Sequence, residues 1–178
     1  MSVHHEGSVQ SFLEEATNVV DAARKKGLEL RIMGAIAVWI HCPKFSYLHE
    51  ALERKITDID VVGYGKQKDD VLRLLSDLGY VSDRRARMLM TVLQRYQLQN
   101  PISNRKIDVF FDKLEMCHTI DFRGRLQIDY PTISLADLFL EKMQIVEINE
   151  KDIKDVIVLL REHEIGMESS DMIDNEYI

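Results

Sequence analysis

The chain has 178 residues and a formal net charge of −7. This length suits one domain over 1–178 and is too short for two domains with elaborate insertions. No run approaches the roughly 20 apolar residues that a membrane-spanning helix needs, so we expect a soluble protein without a membrane partner. The acidic balance also argues against a general nucleic-acid coat protein, which neutralises many phosphates with Lys and Arg.

The cysteines indicate a reducing compartment. Only Cys42 and Cys117 occur, and neither lies in a CxxC pair or in a Cys/His spacing that would hold zinc. The start of the chain also lacks the basic and apolar regions of a secretory signal. We therefore expect a cytoplasmic protein without a zinc site.

The first half of the chain alternates helix and strand patterns. Apolar residues at helical spacing predict an N-terminal helix over 8–26 that ends at Gly27. A strand over 28–33 then runs into Gly34, and the helix after it stops before Pro43. A second strand over 56–64 and a second helix over 67–78 follow. This alternation predicts an α/β core over 28–130.

The second half adds short strands and then helices. Strand patterns cover 88–98, 106–111, 119–122 and 125–128. Ser134 and Asn149 are good N-caps, which predicts C-terminal helices over 134–163. The acidic tail over 166–178 is predicted to be frayed. Together the elements predict an α/β or α+β fold with a mixed sheet flanked by helices.

Two aspartates interrupt the second strand. In the run Thr57-Asp58-Ile59-Asp60-Val61-Val62, the two-residue period of a strand puts Asp58 and Asp60 on one face. Two carboxylates so close repel each other, and burying them is costly unless a cation or water compensates them. The pattern therefore favours a divalent ion at this point of the strand.

Asp108 repeats the pattern in the run Lys106-Ile107-Asp108-Val109-Phe110-Phe111. If its strand lies beside that of Asp58 and Asp60, the three acids form an all-oxygen site suited to Mg²⁺. The alternative is that these acids lie on a solvated edge and pair with Lys or Arg. The residues alone leave both interpretations open.

These motifs resemble those of the polymerase-beta-like nucleotidyltransferase superfamily over about Leu28 to Leu160. That superfamily has a glycine and a small residue after its first strand, then an Asp-x-Asp strand, then a third acid on a later strand. Gly34-Ala35, Asp58-Ile59-Asp60 and Asp108 match these positions. The resemblance implies a nucleotidyltransferase fold, with Asp58, Asp60 and Asp108 as catalytic residues that hold Mg²⁺.

Within that superfamily the chain resembles the AbiEii-type toxins of bacterial abortive-infection systems. The resemblance rests on Arg54 before the Asp-x-Asp strand, on the helical Lys142, and on the late segment Lys151-Asp152-Ile153-Lys154-Asp155. It implies nucleotide-binding roles for Gly34, Ala35, Arg54, Thr57 and Lys142. Arg54 is expected either to support the triphosphate or to brace the acidic strand.

The implied reaction transfers a nucleoside monophosphate from an NTP to an acceptor hydroxyl on RNA, a protein or a small molecule. Two other classes stay open. One is a catalytically silent nucleotide-binding domain with a regulatory role or a cognate antitoxin. The other is an RNA- or protein-binding module of a toxin-antitoxin type system, which would use the basic cluster of Arg84, Arg85 and Arg87. Such a cluster is more often a solvated loop.

Overall fold

A computed structural model of the chain describes residues 9–82, 95–144, 148–167 and 171–178. Its helices are α1 (Val9–Lys25), α2 (Gly34–His41), α3 (Ser46–Ala51), α4 (Lys68–Asp77), α5 (Leu135–Met143) and α6 (Glu150–Glu162). Its strands are β1 (Leu30–Met33), β2 (Ile59–Gly63), β3 (Arg95–Gln99), β4 (Lys106–Phe111), β5 (Lys113–Glu115) and β6 (Thr119–Asp121). A 3₁₀ turn over Gly65–Gln67 leads into α4.

The centre of the molecule is a mixed four-stranded sheet in the order β1-β2-β4-β3. β1 and β2 are antiparallel, β2 and β4 are parallel, and β3 runs antiparallel to β4. Strands β5 and β6 form a separate hairpin. The mixed α+β fold with helices flanking the sheet confirms the predicted fold class.

The two central strands are buried because their apolar side chains alternate with few polar ones. Ile59, Val61 and Val62 of β2 and Ile107 and Val109 of β4 are all fully buried. Helices α1 and α2 pack on the sheet, and α5 and α6 pack on each other and on α2. The hydrophobic core therefore holds β2 and β4 rigidly side by side.

The helix ends follow their local sequence signals. Gly27 has a φ of +71°, a conformation that favours glycine, and the Leu28 N–H closes the end of α1 on the Ala23 carbonyl at 3.0 Å. The Ser134 hydroxyl accepts a hydrogen bond from the Asp137 N–H at the start of α5. Asn149 caps the first turn of α6 in the same way. Both predicted N-caps are confirmed.

One expectation about the elements is wrong, one is tested only in part, and two observed elements were not expected. The strand predicted over 125–128 is a series of turns, because the Arg125 and Ile128 N–H groups donate to carbonyls three residues back, at 3.0 and 3.1 Å. The predicted strand over 88–98 is observed from Arg95 onward, and its residues 88–94 lie outside the described part of the chain. Helix α3 and strand β5 lack a clear periodic pattern and were not predicted.

Within the acidic tail, residues 171–178 make more contacts with the rest of the domain than the composition indicates. Ile173 is only 1% exposed, and its N–H and carbonyl bond to Glu164 and Gly166 at 2.9 and 3.0 Å. The Arg125 guanidinium also lies 3.4 Å from the centre of the Tyr177 ring. Apolar residues within the acidic segment thus anchor residues 171–178. Among the described helices, none is long and apolar enough to cross a membrane.

Candidate metal and nucleotide site

The register of the sheet brings the three predicted acids together. Asp60 of β2 and Asp108 of β4 are directly paired across the two parallel strands, and Asp58 precedes Asp60 by two residues on the same face. One carboxylate oxygen from each of the three lies within 4.8 Å of the others. We call Asp58, Asp60 and Asp108 the acid triad.

The acid triad concentrates negative charge in a partly buried place. Burial raises the pKa of Asp60 well above its ordinary value, and the neighbouring charges of Asp58, Glu141 and Asp108 raise it further. Only Lys142, among the causes of that shift, acts in the opposite direction. A cation bound here would relieve both the repulsion and the loss of hydration.

Asp108 is the most deeply buried member, with a side chain that is 0% exposed. Its Oδ2 accepts a hydrogen bond from the guanidinium of Arg95 on β3. Its Oδ1 is buried and has no hydrogen-bond partner among the described residues. A buried carboxylate oxygen without a partner is unfavourable, so a ligand for this atom is expected on physical grounds.

Gly34 lies directly against the triad at the turn from β1 into α2. Its φ is +69°, and a Cβ at this position would come within 2.5 Å of Asp60 Oδ2. The Gly34 N–H donates to Glu141 Oε2 of α5 at 3.0 Å. The N–H of Gly34, a residue expected to bind nucleotide, therefore has a carboxylate partner in the structure. Sequence reasoning missed Glu141, although its position beside Lys142 was a usable signal.

Lys142 points inward from α5, as the apolar stripe of that helix predicts, and its side chain is 7% exposed. Its Nζ lies 3.2 Å from Asp155, 3.4 Å from Asp152 and 3.7 Å from Glu141. Burial alone would lower the pKa of Lys142, but the three carboxylates outweigh burial and raise it. The ammonium is thus stabilised by protein acids, and its contact with a nucleotide stays a prediction.

Arg54 makes a paired contact with Asp155 of α6. Its Nε and Nη2 lie 2.8 and 2.9 Å from the two carboxylate oxygens, and the Asp155 side chain is 0% exposed. This arrangement ties the loop before β2 to α6, as a brace for the acidic strand would. We call Arg54, Glu141, Lys142, Asp152 and Asp155 the Lys142 network.

A cleft of about 180 Å³ joins the acid triad to the Lys142 network. The Thr57 hydroxyl at its edge donates to Asp58 Oδ1 at 3.0 Å. The cleft is lined by Ala35, Arg54, Thr57, Asp58, Asp60, Lys142, Asn149, Lys151 and Asp152. The structure therefore brings Ala35, Arg54, Thr57 and Lys142, all predicted to contact nucleotide, to one opening beside the acids. The arginine cluster at 84–87 lies outside the described residues.

The donor set of the acid triad fits a hard divalent cation. Carboxylate oxygens are the ligands that Mg²⁺ prefers, together with water and phosphate oxygens. The close oxygens, the unpartnered Asp108 Oδ1 and the raised pKa of Asp60 all favour a bound cation. Among the described residues no Cys or His joins this cluster, so its oxygen donors suit a hard divalent cation better than zinc.

The sequence matches no protein-family model and no curated protein. The structure is similar to the solution structure of the antibiotic-resistance factor ANT(2″)-Ia, with a TM-score of 0.50 and 12% identity, over 86% of this chain and 84% of that one. It is also similar to the crystal structure of ANT(2″)-Ia in complex with adenylyl-2″-tobramycin, with a TM-score of 0.51 and 13% identity, over 84% of this chain and 87% of that one. ANT(2″)-Ia is an aminoglycoside nucleotidyltransferase of the polymerase-beta-like type. The narrower resemblance to AbiEii-type toxins stays a prediction, and the fold of this chain is that of a nucleotidyltransferase.

Proposed function

We propose that this protein is a Mg²⁺-dependent nucleotidyltransferase that moves a nucleoside monophosphate from an NTP to an acceptor hydroxyl. One observation carries the proposal: Asp58, Asp60 and Asp108 present carboxylate oxygens within 4.8 Å of one another, beside a cleft that contains Arg54, Lys142 and Lys151. Acids for a divalent ion and the exposed ammonium of Lys151 for a triphosphate thus meet at one opening. The shared fold with ANT(2″)-Ia supports the same reaction class.

In this reaction the acceptor oxygen forms a bond to the α-phosphorus of the NTP. The bond from that phosphorus to the bridging oxygen of the β-phosphate breaks, and pyrophosphate leaves. The hydroxyl proton of the acceptor passes to solvent water, and Asp108 would assist its removal. Mg²⁺ at the acid triad would supply charge for the phosphates and would lower the pKa of the attacking hydroxyl.

The residues of the chain divide this work by position. Asp58, Asp60 and Asp108 would hold the ion, and Asp108, whose buried Oδ1 has no hydrogen-bond partner among the described residues, would share it on the acceptor side. Lys151 is exposed at the cleft and is placed to neutralise the phosphates, with Ala35 and Thr57 bounding the space they enter. Lys142 would add positive charge at the base of the cleft. Arg54 holds the loop before β2 against α6 through its two hydrogen bonds to Asp155.

We further propose a small molecule as the first acceptor class to test, because the crystal structure of ANT(2″)-Ia contains an adenylylated aminoglycoside. RNA and protein acceptors remain the alternatives. A toxin role with a cognate antitoxin follows from the AbiEii resemblance alone.

Labelled NTPs test the proposal. The protein is incubated with each α-³²P-labelled NTP and Mg²⁺, together with total RNA, proteins and small metabolites from source cells. We expect label on one acceptor and pyrophosphate release, and both should disappear in Asp58→Asn/Asp60→Asn. Mg²⁺-dependent nucleotide binding without any transfer would instead identify a silent nucleotide-binding domain, an interpretation favoured by the Glu141 contact to the Gly34 N–H.

A further inference from the structure

Arg95 holds a place at the acid triad that the sequence motifs do not explain. It lies at the start of β3, and Gln97, two residues later, is the direct cross-strand partner of Asp108. Arg95 and Asp108 are therefore diagonal neighbours on the same face of the sheet. The Arg95 guanidinium donates to Asp108 Oδ2, and this is the only ion pair that the acid triad makes among the described residues.

All three carboxylates of the acid triad stabilise the positive charge of Arg95. The hydrogen bond to Asp108 raises the pKa of Arg95, and the charges of Asp108, Asp60 and Asp58 raise it further against the effect of burial. Lys142, the cation that lowers the pKa of Asp60, is already within 4 Å of three carboxylates outside the triad. Arg95 thus supplies positive charge where a divalent ion would also supply it.

The two partners differ sharply in burial. The side chain of Asp108 is 0% exposed, whereas that of Arg95 is 42% exposed. Asp108 is fixed in the core of β4, while Arg95 can turn its guanidinium into water with little loss of packing. When a second cation approaches, Arg95 is therefore the partner that moves.

We infer that Arg95 is a built-in counter-ion of Asp108 that stabilises the triad without a metal and competes with the divalent ion for it. This rests on the proposed metal site and extends it to a residue outside the motif. A divalent ion shared by the three acids must stand near Arg95, and the two positive charges repel. Binding of the ion therefore weakens the Arg95–Asp108 contact and turns the guanidinium toward solvent.

Binding of Mn²⁺, followed by the loss of the electron paramagnetic resonance signal of the free ion, tests the inference without any catalysis. We expect Arg95→Met to bind Mn²⁺ about tenfold more tightly than wild type, because the competing charge is gone. Arg95→Lys should fall between the two. The matched control is Arg73→Met, which removes an exposed arginine paired with Asp70 on α4 and changes the net charge equally. It should bind Mn²⁺ like wild type.

Thermal unfolding gives the second readout. Without metal, Arg95→Met leaves the buried Asp108 carboxylate uncompensated, and its melting temperature should fall by about 5 °C. Saturating Mn²⁺ should restore the lost stability, since the ion replaces the missing charge. Arg73→Met should show neither effect.

Unchanged or weaker Mn²⁺ binding in Arg95→Met would overturn the inference. Weaker binding would mean that Arg95 orients Asp108 for the ion instead of competing with it. A variant that stays unfolded in saturating Mn²⁺ would overturn it as well. Failure of the metal site itself is seen separately. If wild type and Asp60→Asn bind Mn²⁺ equally, the proposed function fails together with everything built on it.

Discussion

The acid triad and the Lys142 network lie side by side, yet their charges are arranged in opposite ways. In the network, each carboxylate has an ammonium or guanidinium nitrogen within 3.7 Å. In the triad, three carboxylates lie together and only Asp108 has an ion-pair partner among the described residues. The network is complete without a ligand, whereas the triad is incomplete. The Lys142 network is therefore expected to maintain the fold, whereas the acid triad is the part of the site that we propose binds a cation.

The largest effect on activity and on metal binding should come from Asp60→Asn, which removes one carboxylate from the acid triad. We expect transfer activity to fall on the order of 10³-fold, because the acid acts directly on the metal and phosphates. Mn²⁺ affinity should fall by more than about 100-fold. The melting temperature without metal should rise, since repulsion within the triad is relieved.

The control for this change is Asp70→Asn, which removes an exposed aspartate of α4. It should leave activity, Mn²⁺ binding and melting temperature close to those of wild type. An Asp60→Asn protein with wild-type Mn²⁺ affinity would contradict the difference between the two regions.

The complete region should respond in the opposite sense. Asp155→Asn removes the buried partner of both Arg54 and Lys142 and leaves two buried cations poorly compensated. We expect the free energy of unfolding to fall by about 3–5 kcal/mol, as for other broken buried ion pairs. Urea unfolding measures this, and Asp70→Asn should lose less than about 1 kcal/mol. A loss for Asp155→Asn no larger than for Asp70→Asn would show that the Lys142 network does not maintain the fold.

Gly34→Ala tests how closely the turn before α2 confines the triad. At a φ of +69° an alanine is strained by about 1–2 kcal/mol, and its Cβ would also push on Asp60 Oδ2, only 2.5 Å away. We expect lower stability together with weaker Mn²⁺ binding. Gly27→Ala is the matched control, because Gly27 has a φ of +71° and nothing within 4 Å of the added Cβ. It should lose similar stability and keep the affinity for Mn²⁺, and equal affinities in the two variants would contradict the prediction.

The smallest effect concerns pH. Because the pKa of Asp60 is raised in the folded state, first by burial and then by Asp58, the folded protein holds this proton more tightly than the unfolded chain. The metal-free protein should therefore lose stability as pH rises from the ordinary aspartate pKa through the raised one. Mn²⁺ affinity should change in the other direction and rise over the same interval. Both changes are measured as the difference between wild type and Asp60→Asn, and a difference that does not vary with pH would argue against the raised pKa.

Much of this site was predictable from local patterns. The acids stand out because each interrupts an apolar strand, and Lys142 stands out because it shares a helical stripe with apolar residues. Strand alternation fixes which residues share a face, and caps at Ser134 and Asn149 fix where α5 and α6 begin. These patterns depend only on residues close together in the sequence, so they can be recognised without knowledge of the tertiary structure.

The partners of these residues were not predictable, because they depend on register and packing. The contact of Arg95 with Asp108 exists only because β3 pairs with β4 in one particular register. The contact between Glu141 and the Gly34 N–H joins residues that are 107 positions apart. Sequence patterns therefore identify the chemical groups of the site, but the structure is needed to show which charges are already compensated.

The most direct test of the central claim is anomalous diffraction from crystals of the protein soaked with Mn²⁺ and a non-hydrolysable NTP analogue. We expect an anomalous peak bounded by the carboxylates of Asp58, Asp60 and Asp108, with the phosphates of the analogue in the cleft beside Lys151. A peak elsewhere, or an analogue bound in the cleft with no ion at the acid triad, would contradict that claim.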